Sequence, residues 1–414
     1  MASRRSDSGQ ALVTVAAGMV MLLGAMGLAI DMGYMRYERR QMQSAADSAA
    51  LAGAGEINYG DVVSAAQADA ANVGFTNGSN GVSVTVNNPP LSGPHSGDAS
   101  YVEAVVSQAV PTFFMRLFGV NSASLSARAV GYLGSGGGCI YALDRSATGI
   151  LVNGVADVEA QCGVIDDSSS ASAMLINGAP TVSTKSIGVV GQVLINGPAT
   201  VSPTPVTGIA VQSDPLAYLN PPTTSSCSGT AMIINGTGTY TVTPGGNCYN
   251  LTINGSPVVT VNPGAYQRIV TNGTPRVTFN PGLYTIQGGN FTINGGAWVQ
   301  SSGATFYLTT GGVTVNGGNT VQFSAPTSGS YAGILFYEDR ADATSAVING
   351  DNNTLIQGAL YFPKAQLTVN GMSTTAAYSI AVADTILFNG GGHFNDDYST
   401  LPGGSPIKGA VLVE

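Results

Sequence analysis

A strand-like stretch of apolar and Thr residues ending in Asn-Gly recurs along the chain at Asn153, Asn177, Asn196, Asn235, Asn254, Asn272, Asn294, Asn316, Asn349, Asn370 and Asn389. The intervals are 24, 19, 39, 19, 18, 22, 22, 33, 21 and 19 residues, a period near 20. The interval of 39 reads as two periods containing one degenerate copy. A fixed period in this range marks a solenoid, because one repeat buries its apolar face only by stacking on its neighbours. Most copies continue with two or three small residues and a second short strand. Some add a Pro-Gly corner: Asn262-Pro263-Gly264 and Asn280-Pro281-Gly282 match almost residue for residue.

Two architectures fit. Asn-Gly is a strong hairpin signal, so an antiparallel β meander is the alternative. In a right-handed parallel β-helix the same dipeptide serves as a corner, with equivalent asparagines stacked and bonded amide to amide. The β-helix is preferred, because solenoids require a constant period while meanders tolerate drifting strand lengths. At about 4.8 Å per coil, some twelve coils would rise roughly 60 Å. The Pro-rich stretch from Pro203 to Cys227 does not fit a coil and reads as a loop excursion.

The second constraint is Ala11 to Ile30, twenty residues without a charge. As a helix this run rises about 30 Å, the thickness of a bilayer core. It passes into Asp31 and a helical continuation rather than a small-residue cleavage site, so it reads as a retained transmembrane helix. Flanking charge leaves orientation open, since Arg4 and Arg5 precede the span while Arg36, Arg39 and Arg40 follow it. All four cysteines lie beyond residue 138, which argues that the C-terminal mass is outside the cytoplasm.

Between these regions the chain reads as a small α+β unit. A helical stretch from Asp61 to Val73 is followed by strands at Val82 to Val86, Tyr101 to Val110 and Ala123 to Tyr132, with a short amphipathic helix at Thr112 to Phe118. The resulting division is 1–54, anchor and continuing helix; 55–133, α+β unit; 134–138, Gly-rich linker; and 139–414, the repetitive β-helix-like domain. The fold class is mainly β with an N-terminal helix.

The segment from Arg4-Arg5 through Ala54 resembles the N-terminal domain of TadE/TadG-like proteins of Flp (Tad) pilus assembly. The matching features are the basic start, a small-residue span ending in Ala-Ile-Asp, an Arg-Gln pair and the run Ala45 to Ala54, AADSAALAGA. The stretch VPTFFMRLFGV with SLSARAVGYL, the string CIYALD from Cys139 to Asp144, and NPGLYTIQGGNFTINGG from Asn280 to Gly296 are similar to later parts of such chains. The resemblance implies a membrane-anchored accessory of a pilus system, with the membrane and pilus-assembly or envelope proteins as partners. It implies a single pass through the bacterial inner membrane, with the C-terminal region in the periplasm or at the cell surface. Prepilin-type members carry Gly followed five residues later by Glu; the fifth residue after Gly9 is Thr14, so the span is expected to stay uncleaved.

Composition and motifs narrow the chemistry. Charged residues make up 9% of the chain, with 23 acids against 14 bases, so no basic surface exists to hold a phosphate backbone and nucleic-acid binding is excluded. Some TadG-like proteins carry a metal-dependent adhesion site on Asp-x-Ser-x-Ser, and Asp166, Ser168 and Ser170 match that string. The flanking sequence lacks the helices such a domain needs, so a Ser-rich loop is expected. A carbohydrate-binding or carbohydrate-active β-helix would need clustered carboxylates. The candidates are Glu338-Asp339-Arg340 with Asp342, and His393 with Asp396-Asp397, each expected to be a solvated turn. Only two histidines and three lysines are present, so catalytic residues, cofactor and metal are all expected to be none and the chain not an enzyme. The expected role is structural, adhesive or in pilus assembly, with a glycan ligand as the alternative.

Cysteine spacing selects a pairing. Cys139 and Cys162 are 23 residues apart and Cys227 and Cys248 are 21 apart, each close to one period. Neighbouring coils about 4.8 Å apart fall within the separation a disulfide spans, whereas cross-pairing would have to bridge several coils. The expected bonds are Cys139–Cys162, closing the N-terminal end of the solenoid, and Cys227–Cys248, at the base of the Pro-rich loop.

Overall fold

The computed structural model describes residues 8–57, 61–135, 137–224, 227–246, 248–351, 353–372 and 375–414. Arg4 and Arg5 of the basic start, and Gly136 of the Gly-rich stretch, lie outside these. The chain forms two compact units, Met1–Gly134 with Gly409–Glu414, and Ser135–Lys408.

The first unit is organised by one continuous 48-residue helix, α1, Ser8–Gly55. Its first part, through Ile30, is apolar and exposed nearly all round, the pattern of a helix whose solvent is lipid. Its last part buries Met42, Ala45, Ala46, Ala49, Ala50 and Ala54. The small face is a packing requirement: a Cβ on Gly131 would lie 2.3 Å from the Ala50 carbonyl oxygen, so helix and strand backbones touch directly. A second helix, α2, Val62–Asn72, is capped by Asp61, which accepts from the N–H groups of Val63 and Ser64 at 3.0 and 3.1 Å. The sheet is antiparallel: β1 (Val82–Asn87), β2 (Tyr101–Pro111) and β3 (Ser122–Ser135), in that order. Its fourth strand is Lys408–Leu412, from the far end of the sequence. The repetitive domain therefore does not run to 414, because residues 409–414 close the free edge of β3. Gly138 is not linker either: it opens a strand and is buried under the Tyr141 ring, 2.7 Å from where its Cβ would lie.

The second unit is a parallel β-solenoid of about 11 turns. Among the described residues every strand-to-strand pairing between its turns is parallel, which excludes the meander. The residue before each Asn points inward. Ile253, Ile293, Val315, Ile348, Val369, Phe388, Val152 and Ile176 form one register-matched column, each no more than 1% exposed. The asparagines form a ladder of side-chain amide bonds at 2.5 to 3.2 Å. It is interrupted between Asn370 and Asn389, where Asn370 Oδ1 is buried without a partner. The glycine that follows is required by close approach as much as by φ. Gly178 has φ +93° and a Cβ there would meet the Gly154 oxygen at 2.5 Å; Gly371 has no positive φ, yet the Gly350 oxygen stands 2.2 Å from its Cβ position.

The turns do not stack in chain order. The Asn389 turn lies on the Asn153 turn, with Ile386, Leu387 and Phe388 in register with Ile150, Leu151 and Val152, and Asn153 donating to Asn389 at 3.1 Å. The order along the solenoid is therefore Asn235, 254, 272, 294, 316, 349, 370, 389, 153, 177, 196. The chain enters in the interior, winds three turns to one end, crosses to the other end, and winds eight turns back to its starting point. The 39-residue interval is that crossing and contains no degenerate copy. The end turns stand roughly 48 Å apart, and residues 208–224, with a turn at 215–218, run along that distance. The end carrying Asn196 is open: Ile195 is 44% exposed, although Ile176 one turn earlier is fully buried.

Cys139 pairs with Cys162, Cα to Cα 5.7 Å, and Cys227 with Cys248, 5.4 Å. The first bond joins the Asn153 and Asn177 turns in the interior of the stack rather than closing an end, because the start of the chain is not the start of the solenoid. The second lies where the crossing chain enters the Asn235 turn.

Candidate functional site

The most distinctive polar geometry of the first unit lies where the apolar run of α1 ends. Asp31, 1% exposed, accepts hydrogen bonds from the backbone N–H groups of Phe113, Phe114 and Met115 at 2.8, 2.9 and 2.7 Å. These donors precede or open a single 3-10 turn, Met115–Phe118, and would otherwise be orphaned, so the carboxylate caps that turn from a distant part of the chain. The amphipathic helix expected over Thr112 to Phe118 is present only as this one turn, which Gly119 ends in the left-handed region at φ +84°. Phe114 lies across Gly27, 2.8 Å from where a Cβ would stand, and the Phe113 ring meets Tyr34 edge-on at 5.1 Å. The Asp that ends the span, the glycine inside it and the TFFMRLF string are thus one clamp. Sequence reasoning noted the Asp and the string separately, and no local signal joined them.

A second network fastens the sheet. Glu103, 3% exposed, accepts from Arg128 Nε at 2.6 Å, Asn87 Nδ2 at 2.8 Å, Ser92 Oγ at 2.8 Å and the Leu91 N–H at 3.2 Å. Burial would raise its pKa, but the bonds from Arg128, Asn87 and Ser92 outweigh that and hold it at about 2. Arg128 also pairs with Glu414, beside the edge strand.

The adhesion-site string is not assembled as a ligand set. Asp166 points into the solenoid and accepts from the Ile150 and Ser168 N–H groups, both at 3.0 Å; burial pushes it up to about 6. Ser168 Oγ donates to the Ala147 carbonyl and accepts from the Ser170 N–H at 3.1 Å, while the Ser170 hydroxyl meets Ser172 at 3.4 Å. These oxygens are committed to turns. Among the described residues no three His, Cys, Asp or Glu side chains gather in a way that could hold a metal.

The Glu338 group is not a solvated turn, whereas the His393, Asp396 and Asp397 group lies at the surface, with Asp397 exposed. Arg340 Nη2 donates to the carbonyls of Leu216, Ala217 and Leu219 at 3.1, 2.8 and 3.0 Å, holding the crossing segment. Asp339 accepts from the Tyr307 hydroxyl. Glu338 is fully buried with both oxygens unpartnered, and burial with Asp342 and Asp339 nearby pushes it up to about 9. His393 meets Glu159 at 3.2 Å and Asp396 forms an ion pair with Lys185 at 2.6 Å, contacts between different turns rather than a joint cluster. The crossing segment is further held by Tyr361 to Asp214 at 2.6 Å and by Gln212 N–H to Asp167 at 2.8 Å.

The fold and the clamp define a class: a chain with an N-terminal helix long and apolar enough to cross a membrane, a small α+β unit and a parallel β-solenoid. More particularly, residues 9–56, α1 almost end to end, match the family model described as "Putative Flp pilus-assembly TadE/G-like". The chain carries a TadE/G-like domain there, which supports a role related to the Tad/Flp pilus. No curated protein and no solved structure matches the chain.

Proposed function

We propose that this chain is a non-enzymatic structural component of a Tad/Flp pilus assembly machine, anchored in the inner membrane with its solenoid on the periplasmic side or at the cell surface. The observation that carries the reading is the TadE/G-like match over the helix at residues 9–56. Two cystine pairs in the solenoid favour an oxidising compartment. The structural role is supported by the use of the carboxylate groups: Arg340, Asp339, Asp396 and Glu159 are spent on holding turns or the crossing segment, and Glu338 is sealed from solvent.

The test is deletion of the coding sequence in the native cell with complementation by the full chain. Pilus number by electron microscopy should fall on deletion and return on complementation. An epitope in the solenoid should be digested by protease in spheroplasts or on intact cells, but not require cell lysis. Unchanged piliation, or an epitope reached only after lysis, overturns the reading.

A further inference from the structure

Within residues 113–120, five large apolar side chains are exposed: Phe113, Phe114, Leu117, Phe118 and Val120, with Leu117 and Phe118 at 79% and 78%. Isolated exposed apolar residues are ordinary, but five in one short loop mark an interaction surface. The clamp fixes where this loop sits. Asp31 is the first charged residue after the apolar run, and it holds the N–H groups of Phe113, Phe114 and Met115. Phe114 reaches back to Gly27, about one helical turn inside the apolar run. The loop is therefore tied to the helix at the level where apolar sequence gives way to charged sequence.

The charges at that level fit a lipid surface. Arg116 lies in the loop, and Arg36, Glu38, Arg39 and Arg40 follow on the next turns of α1. Cations beside an apolar wedge suit the phosphate zone of an anionic leaflet, with arginine stems along the apolar layer and guanidinium groups at the phosphates. A soluble partner would meet this loop only in the plane the bilayer already occupies. The surface is continuous with the one the helix itself presents to lipid.

We infer that residues 113–120 are a second membrane contact: a wedge in the lipid–water interface of the leaflet from which α1 emerges, about 5–10 Å deep. Phe113, Phe114, Leu117 and Phe118 enter the boundary of the acyl chains, and Arg116 with the arginines of α1 binds lipid phosphate. Two contacts, helix and wedge, fix the rotation and tilt of α1, which a lone helix leaves free. The inference rests on α1 spanning the membrane.

The test uses the full chain in phosphatidylcholine–phosphatidylglycerol vesicles, with Trp298→Phe removing the chain's single tryptophan and Phe118→Trp supplying a probe. Val155→Trp, at a solenoid position 84% exposed, is the water-facing reference. Emission from position 118 should be blue-shifted, quenched by lipids brominated in the upper acyl chain, and several-fold less sensitive to acrylamide than position 155. Equal acrylamide quenching at the two positions overturns the wedge. So does a blue shift that appears only at high protein-to-lipid ratio, since the occupant is then a second copy. Alkaline carbonate washing separates the two readings: chain retained with a water-exposed probe sinks the wedge alone, whereas chain released from the vesicles sinks the anchor as well.

Discussion

Cysteines at Leu151 and Leu387 test the stacking order. The two leucines are register partners on adjacent turns, both half-buried on the outer face, though 236 residues apart in sequence. Adjacent turns are about 4.8 Å apart, inside the Cα separation a disulfide requires. Were the turns stacked in chain order, the same residues would stand at opposite ends, roughly 48 Å apart. Leu151→Cys with Leu387→Cys should therefore crosslink on mild oxidation, seen as a mobility shift on non-reducing gels and a 151–387 peptide on mapping. In the chain-entropy account, closing so long a loop adds up to about 5 kcal/mol, so the denaturation midpoint of the oxidised form should rise. Leu175→Cys with Leu194→Cys, partners in neighbouring turns, is the positive control. Failure of the 151–387 bond while the control forms would refute the reasoning. So would a bond between Leu194→Cys and Ile233→Cys, which the structure puts on the two end turns.

Arg340→Ala leaves three carbonyls of the crossing segment without their donor and should cost about 2–4 kcal/mol, with faster proteolysis between residues 208 and 224; unchanged protection there would disprove its role. Asn294→Ala removes two rungs of the ladder and should cost about 1–2 kcal/mol in chemical denaturation, against under about 0.5 for Thr292→Ala on the outer face. Equal costs would show that the ladder contributes nothing. Glu338 titrates at about 9 in the fold against an ordinary carboxylate value near 4.5, so it folds neutral. The stability tied to that proton is fully present below about pH 4.5 and is lost as pH rises towards 9. Glu338→Gln should accordingly leave stability unchanged at pH 4 and raise it increasingly from pH 5 to 9; a gain independent of pH would rule out a protonated carboxyl.

The candidate residues were legible as types but not as partners. Glu338-Asp339-Arg340 looks like one charged turn, yet Glu338 is the last residue of a strand buried along its whole length, and the chain turns beyond it and carries Arg340 to the crossing segment. Asp31 is visible as the residue that ends the span. Its partners lie 82 to 84 positions away in a loop whose apolar residues read as half of a helix. Sequence spacing gave no measure of that distance in space.

What the sequence by itself determined is everything closed within one turn or between neighbouring repeats: the period, the Asn-Gly corners, the parallel ladder and the pairing of the four cysteines. These depend on local geometry, because a turn of about 20 residues returns the chain to one inter-turn spacing from its start. The order of the turns was decided only by the tertiary structure. One Asn-Gly turn offers nearly the same amide, glycine and β-branched surface to any other, so the repeat does not specify which turn lies on which. Contacts outside the repeat break that degeneracy: Arg340, Tyr361 and Asp167 hold the crossing segment, and the segment carries the chain to the far end of the stack.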